Sequence, residues 1–89
     1  MTLDEFFRKL RETPRNWEIG PAGAIRQKMC CPLEIVAGTG PGSFWRAGRK
    51  LGLPTALVDE IVEAADEDEN HDPKLRARLL RACGLKEKP

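Results

Sequence analysis

Tyrosine is missing from this chain of 89 residues, histidine occurs once, and cysteine occurs three times. The lone histidine, His71, has no serine or cysteine set beside it by a recognisable motif. No nucleophile–base pair can be assembled, and no enzymatic activity is expected. Cys30, Cys31 and Cys83 form an odd set with an adjacent pair, a poor basis for a disulfide framework. Free thiols in a reducing compartment are the simpler expectation. With His71 the three cysteines could supply four zinc ligands in number. No CxxC or HxxxH spacing supports such a site, and Cys83 lies on the apolar stripe of its helix. Neither a metal nor a cofactor is expected.

Long apolar runs are also missing. None approaches the ~20 residues of a membrane-spanning helix. The opening MTLDEFFRKL contains acids and no apolar block beside a cleavage site, so it does not read as a signal peptide. A cytoplasmic location without membrane association is the expectation.

What is present suits a single small domain over residues 1–89. Hydrophobic residues make up 40% and charged residues 33%, values of a folded rather than a disordered chain. The net charge of +1 conceals a strong asymmetry. Asp59, Glu60, Glu63, Asp66, Glu67, Asp68, Glu69 and Asp72 fall within 59–72, with no lysine or arginine among them. That segment carries −8, and the rest of the chain, with all 15 bases and six acids, carries +9.

Helical periodicity dominates. Thr2 and Glu5 form a capping box ahead of Leu3, Phe6, Phe7 and Leu10, which share one face, so a helix is predicted over about 3–12, stopped by Pro14. Trp17 and Ile19 alternate with polar residues. The segment Gly20-Pro21-Ala22-Gly23 reads as the turn of a short hairpin that continues through Ala24-Ile25-Arg26. Two strands cannot stand alone, so Trp17 and Ile19 are expected to pack on helices. Residues 32–37 fit either a short helix begun by Pro32, with Leu33, Val36 and Ala37 inward, or a buried strand.

Ser43 is a good cap for a helix over 44–51 closed by Gly52. Its inward residues would be Phe44, Ala47, Gly48 and Leu51, with Trp45 half covered and Arg46, Arg49 and Lys50 outside. Pro54 opens a helix over about 54–66, with Leu57, Val58, Ile61, Val62 and Ala65 inward. An acidic loop runs from Asp66 to Asp72. Asp72 then caps a last helix that starts at Pro73, with Leu75, Leu79, Leu80 and Cys83 buried and Lys74, Arg76, Arg78 and Arg81 solvated. Gly84 ends it, Leu85 folds back, and 86–89 form a frayed tail. The fold class expected is mainly α: four to five helices with a short N-terminal β-hairpin.

Ala47, the turn Leu51-Gly52-Leu53, and Val58 and Ile61 stand where two helices of a hairpin meet. Over residues 44–66 this resembles the helix-turn-helix of DNA-binding proteins in shape. That resemblance would imply a recognition helix over 54–66. The exposed side of this helix departs from the family, because it offers Asp59, Glu60, Glu63 and Asp66 where phosphate must approach. Asp66, Asp68, Asn70 and Asp72 have the alternate spacing of a calcium loop, but His71 replaces its glycine and Ala77 its twelfth-position glutamate. The stretch Gly38-Thr39-Gly40-Pro41-Gly42-Ser43 lacks the lysine of a phosphate-binding loop and reads as a linker.

The function expected is that of a small soluble interaction protein, an inhibitor or adaptor. It would bind a protein partner with a basic surface through Asp59, Glu60, Glu63, Asp66, Glu67, Asp68 and Glu69. Internal neutralisation of the acids by the flanking basic helices would explain the same layout without a partner. The alternative is nucleic-acid binding through Arg46, Arg49, Lys50, Arg76, Arg78 and Arg81. Oligomeric state stays open, since Trp17, Trp45 and Phe44 need not all be covered.

Overall fold

The computed structural model describes residues 1–13, 17–68 and 70–86. Five helices and one antiparallel hairpin appear in the order α1 (Leu3–Glu12), β1 (Glu18–Ile19), β2 (Ile25–Arg26), α2 (Pro32–Ala37), α3 (Phe44–Lys50), α4 (Thr55–Ala65) and α5 (Pro73–Ala82). A 3-10 turn at Pro21–Gly23 joins the two strands, which pair Glu18 with Arg26 and Ile19 with Ile25.

The helix starts follow the local chemistry. Thr2 Oγ1 accepts from the Glu5 amide at 3.2 Å, and the Glu5 carboxylate accepts from the Thr2 amide, a reciprocal capping box. Ser43 and Asp72 cap α3 and α5 through their side-chain oxygens. Residues 32–37 form a helix, which settles the choice against a strand. Pro32 at its first position and the amide of Cys31 donating to Glu34 Oε1 favour helical entry.

Four helix ends share one design. The amide just after a left-handed residue returns to a carbonyl five residues back at α2, α3, α4 and α5: Thr39 to Glu34, Leu53 to Gly48, Asp68 to Glu63 and Leu85 to Leu80. The left-handed position in this motif is glycine at Gly38, Gly52 and Gly84. At the end of α4 it is Glu67, with φ 57°.

The core gathers one stripe from every helix: Phe6, Phe7 and Leu10; Leu33 and Ala37; Ala47; Val58, Ile61, Ala64 and Ala65; Leu75, Leu79, Leu80 and Cys83. The rings of Phe6 and Phe7 meet edge to face at 5.3 Å. Helix α4 lies between α3 and α5 and contacts both. On α3, Ala47 is fully buried and Gly48 lies against Val58 of α4. An added Cβ on Gly48 would overlap Val58 Cγ2 and lie 3.2 Å from Val58 Cγ1.

Two packing expectations are corrected. In the hairpin, Ile25 is the buried residue, while Ile19 is 38% exposed, although Trp17 packs on the core as anticipated. Phe44 is 37% exposed. It sits in the first turn of α3, ahead of the point where that helix meets the core at Ala47 and Gly48. Glu34, beside the inward Leu33, is 2% exposed because its carboxylate turns back to cap α2.

Candidate functional site

The acidic surface begins on the solvent side of α4. Val58, Ile61, Ala64 and Ala65 fill its inner side, so Asp59, Glu63 and Asp66 fall together on the opposite side, with Glu60 next to them. Asp59, Glu60 and Asp66 are exposed, Glu63 is half-buried, and Glu67 and Asp68 continue the exposed surface into the loop. Glu69 lies outside the described residues. Among the described residues only one of these carboxylates is in an ion pair, Glu67 with Arg76 at 3.6 Å. The other two ion pairs are Arg26 with Glu18 and Arg78 with Asp4. The basic helices therefore do not neutralise the outer face of α4.

Arg76 and Arg78 are not the solvated bases anticipated. The Arg76 side chain is 11% exposed. One of its terminal nitrogens donates to the Ala64 carbonyl at 2.7 Å and the other to the Gly23 carbonyl at 3.0 Å. The planar fork of a guanidinium spreads its donors over two nitrogens and so spans two separated carbonyls and a carboxylate, whereas a lysine ammonium offers its donors from one point. Arg78 pairs with Asp4 and places its guanidinium 4.3 Å from the centre of the Phe7 ring. Arg81 is exposed on α5, and Arg46, Arg49 and Lys50 are exposed on α3. The six bases of the alternative site thus divide between two helices on either side of α4, and two of them are engaged within the fold.

The loop after α4 is set by its own side chains. Asp68 Oδ1 accepts from the Asn70 amide at 2.9 Å, and His71 Nδ1 donates to the Asp68 carbonyl. Asp72 Oδ1 accepts from the Lys74 amide at 2.9 Å. Two oxygens of the alternating acidic spacing are thus directed at backbone amides. Glu67 rests against Gly23, whose φ of 73° and lack of a Cβ admit the carboxylate. Beside it, Ile19, Glu67, His71, Arg76, Leu80 and Lys86 border a cavity of about 210 Å³. A second cavity of similar volume lies between α3 and α4, lined by Trp45, Arg49, Leu53, Thr55 and Val58.

Burial pushes the Cys31 thiol up to about 12, the nearby Glu34 carboxylate adding to the effect, and burial alone takes Cys83 to about 12. Both thiols are neutral at physiological pH and poor nucleophiles. Alkylation of the native protein at pH 8 should therefore modify Cys30 first, with Cys31 and Cys83 at least ~10-fold slower, as mass spectrometry of the tryptic peptides would report. Comparable rates at all three would contradict their burial. Because folding raises these pKa values, the contribution to stability is complete below the unfolded value near 9 and is lost as pH climbs toward 12.

These features define a small helical domain with an acidic helix end and a charge-flanked apolar groove, and among the described residues no helix is long and apolar enough to cross a membrane. No protein-family model matches the chain, and no curated protein or solved structure matches it either.

Proposed function

We propose that the protein is an interaction module, an inhibitor or adaptor, whose working surface is the outer face of α4 and the loop that follows. Its partner is a protein with a basic surface. The observation that carries this reading is the number of unfavourable choices at one helix end. Glu63 and Asp66 lie at the negative end of the helix dipole, where each acid costs about 0.3–1 kcal/mol. Asp59 and Glu63, four residues apart, repel each other along the helix. Glu67 holds a left-handed conformation that glycine would adopt at about 1 kcal/mol less. Among the described residues the fold receives one ion pair in return. Residues that work against local stability without compensation are expected where a surface serves a partner.

Complementary charge would speed encounter and select the partner more than add affinity. The variant Glu60→Gln/Glu63→Gln/Asp66→Asn removes three charges and leaves the Glu67–Arg76 pair intact. Immobilised wild-type protein should retain a basic partner from lysate, less as salt rises, and the variant should lose it at least ~10-fold. Equal capture by the variant would refute the reading. The nucleic-acid alternative keeps the exposed Arg46, Arg49 and Lys50 on α3, beside the acids of α4, and Arg81 apart from them on α5. Fluorescence anisotropy of a labelled duplex is expected to show no binding at low salt. Tight binding with a steep salt slope would transfer the function to α3.

A further inference from the structure

The face between α3 and α4 presents both signs of charge around an apolar groove. Trp45, on the α3 wall, is 46% exposed. Arg49 stands one helical turn further along the same wall, and Leu53, Thr55 and Val58 complete the lining. Asp59 follows Thr55 by one turn of α4 and so flanks the opposite rim. Among the described residues neither Arg49 nor Asp59 is in an ion pair, with each other or with any neighbour.

An exposed tryptophan beside an arginine, over a groove, is the composition of an interface hot spot. The charges limit what can cover it. A nucleic acid would bring phosphates against Asp59 and Asp66. A uniformly basic protein surface would meet Arg49, and a uniformly acidic one would meet Asp59. A rim of two signs needs a cover with the same two signs in reversed order. A two-fold axis running along the groove supplies that cover, because it exchanges the two walls and sets Arg49 of each copy opposite Asp59 of the other. We infer that a second copy of this chain covers this face in a symmetric dimer. Trp45 of each protomer is buried over the groove of its partner, and two reciprocal Arg49–Asp59 pairs fix the register. Two short helices offer a limited area, so the dimer belongs to the small class below ~1,200 Å² in total, with micromolar rather than nanomolar affinity. It uses Asp59 but leaves Glu60, Glu63 and Asp66 outside, so it does not rest on the proposed acidic-face function.

Sedimentation equilibrium of the full chain at low salt, over roughly 5–500 µM, tests the dimer in the range that micromolar affinity requires. A monomer–dimer equilibrium is expected. It should weaken at least ~10-fold in Trp45→Ala, Arg49→Glu and Asp59→Lys, each of which removes an anchor or sets like charges together. The decisive sample is an equimolar mixture of Arg49→Glu and Asp59→Lys, both surface substitutions. In that heterodimer the reversed charges meet each other and the native charges meet each other, so association should return to within ~3-fold of wild type. Glu60→Gln/Glu63→Gln/Asp66→Asn should dimerise like wild type, which separates failure of the dimer from failure of the acidic-face reading. A chain that stays monomeric throughout would overturn the proposal. So would a dimer indifferent to Trp45→Ala, or a mixture that does not recover.

Discussion

Replacement of Arg76 by alanine should cost about 2–4 kcal/mol of stability, measured by urea unfolding. The guanidinium joins three separate parts of the chain: the end of α4 through the Ala64 carbonyl, the hairpin turn through the Gly23 carbonyl, and the loop through Glu67. Gly23 is 53 residues away in sequence, so the contact fixes the hairpin to the helical body. Removal of the side chain leaves two carbonyls without their donors in a partly buried place, and each such loss costs about 1–3 kcal/mol. Arg76→Lys should lose most of the same stability, because one ammonium cannot span both carbonyls with the geometry of a planar fork. Glu67→Gln should be far milder. Its carboxylate is substantially exposed and 3.6 Å from Arg76, and such pairs contribute about 0–1 kcal/mol. If Arg76→Lys proves as stable as wild type, the two carbonyl bonds are not what makes Arg76 important.

Gly48→Ala should destabilise the protein by up to about 2 kcal/mol, although alanine is the better helix former. The helical preference favours alanine by about 1 kcal/mol. Against it, a new Cβ would overlap Val58 Cγ2 and crowd Val58 Cγ1 at 3.2 Å, and overpacking of this kind costs about 1–3 kcal/mol. Steric cost wins because Val58 cannot retreat: it is 2% exposed, on a face packed against the core. Val58→Ala alone leaves a void and also destabilises. In the double variant the new methyl occupies part of that void, so the two losses should combine to less than their sum by at least ~1 kcal/mol. Strict additivity would show that the α3–α4 approach is looser than Gly48 and Val58 make it.

The parts of this architecture that were legible in the sequence are those governed by local periodicity. The stripes Phe6–Phe7–Leu10 and Leu75–Leu79–Leu80–Cys83 are buried as their spacing requires. The caps at Thr2, Ser43 and Asp72 lie where a short polar side chain precedes an apolar helix. The parts that were not legible depend on distant neighbours. Nothing near Arg76 in sequence announces Gly23 as its acceptor. Its spacing to Leu79, Leu80 and Cys83 does place it on the buried stripe of α5, and only its charge made it read as solvated. Ile19 and Ile25 are cross-strand partners of the same chemistry, so sequence alone does not say which is covered. Glu34 resembles an outward acid until its carboxylate is seen to turn toward the Cys31 amide. The acids of α4 were legible as a group. That the neighbouring basic helices leave the outer face unpaired emerged only when Arg76 and Arg78 were found to be directed elsewhere.

Acids that serve a partner, as proposed for the outer face of α4, should not be holding the fold together. Urea unfolding of Glu60→Gln/Glu63→Gln/Asp66→Asn beside wild type separates the two roles. The variant is expected to be more stable by about 1 kcal/mol, because repulsion along the helix and opposition to its dipole are both relieved. A variant clearly less stable than wild type would show that the carboxylates hold the domain together, and the proposal would fall.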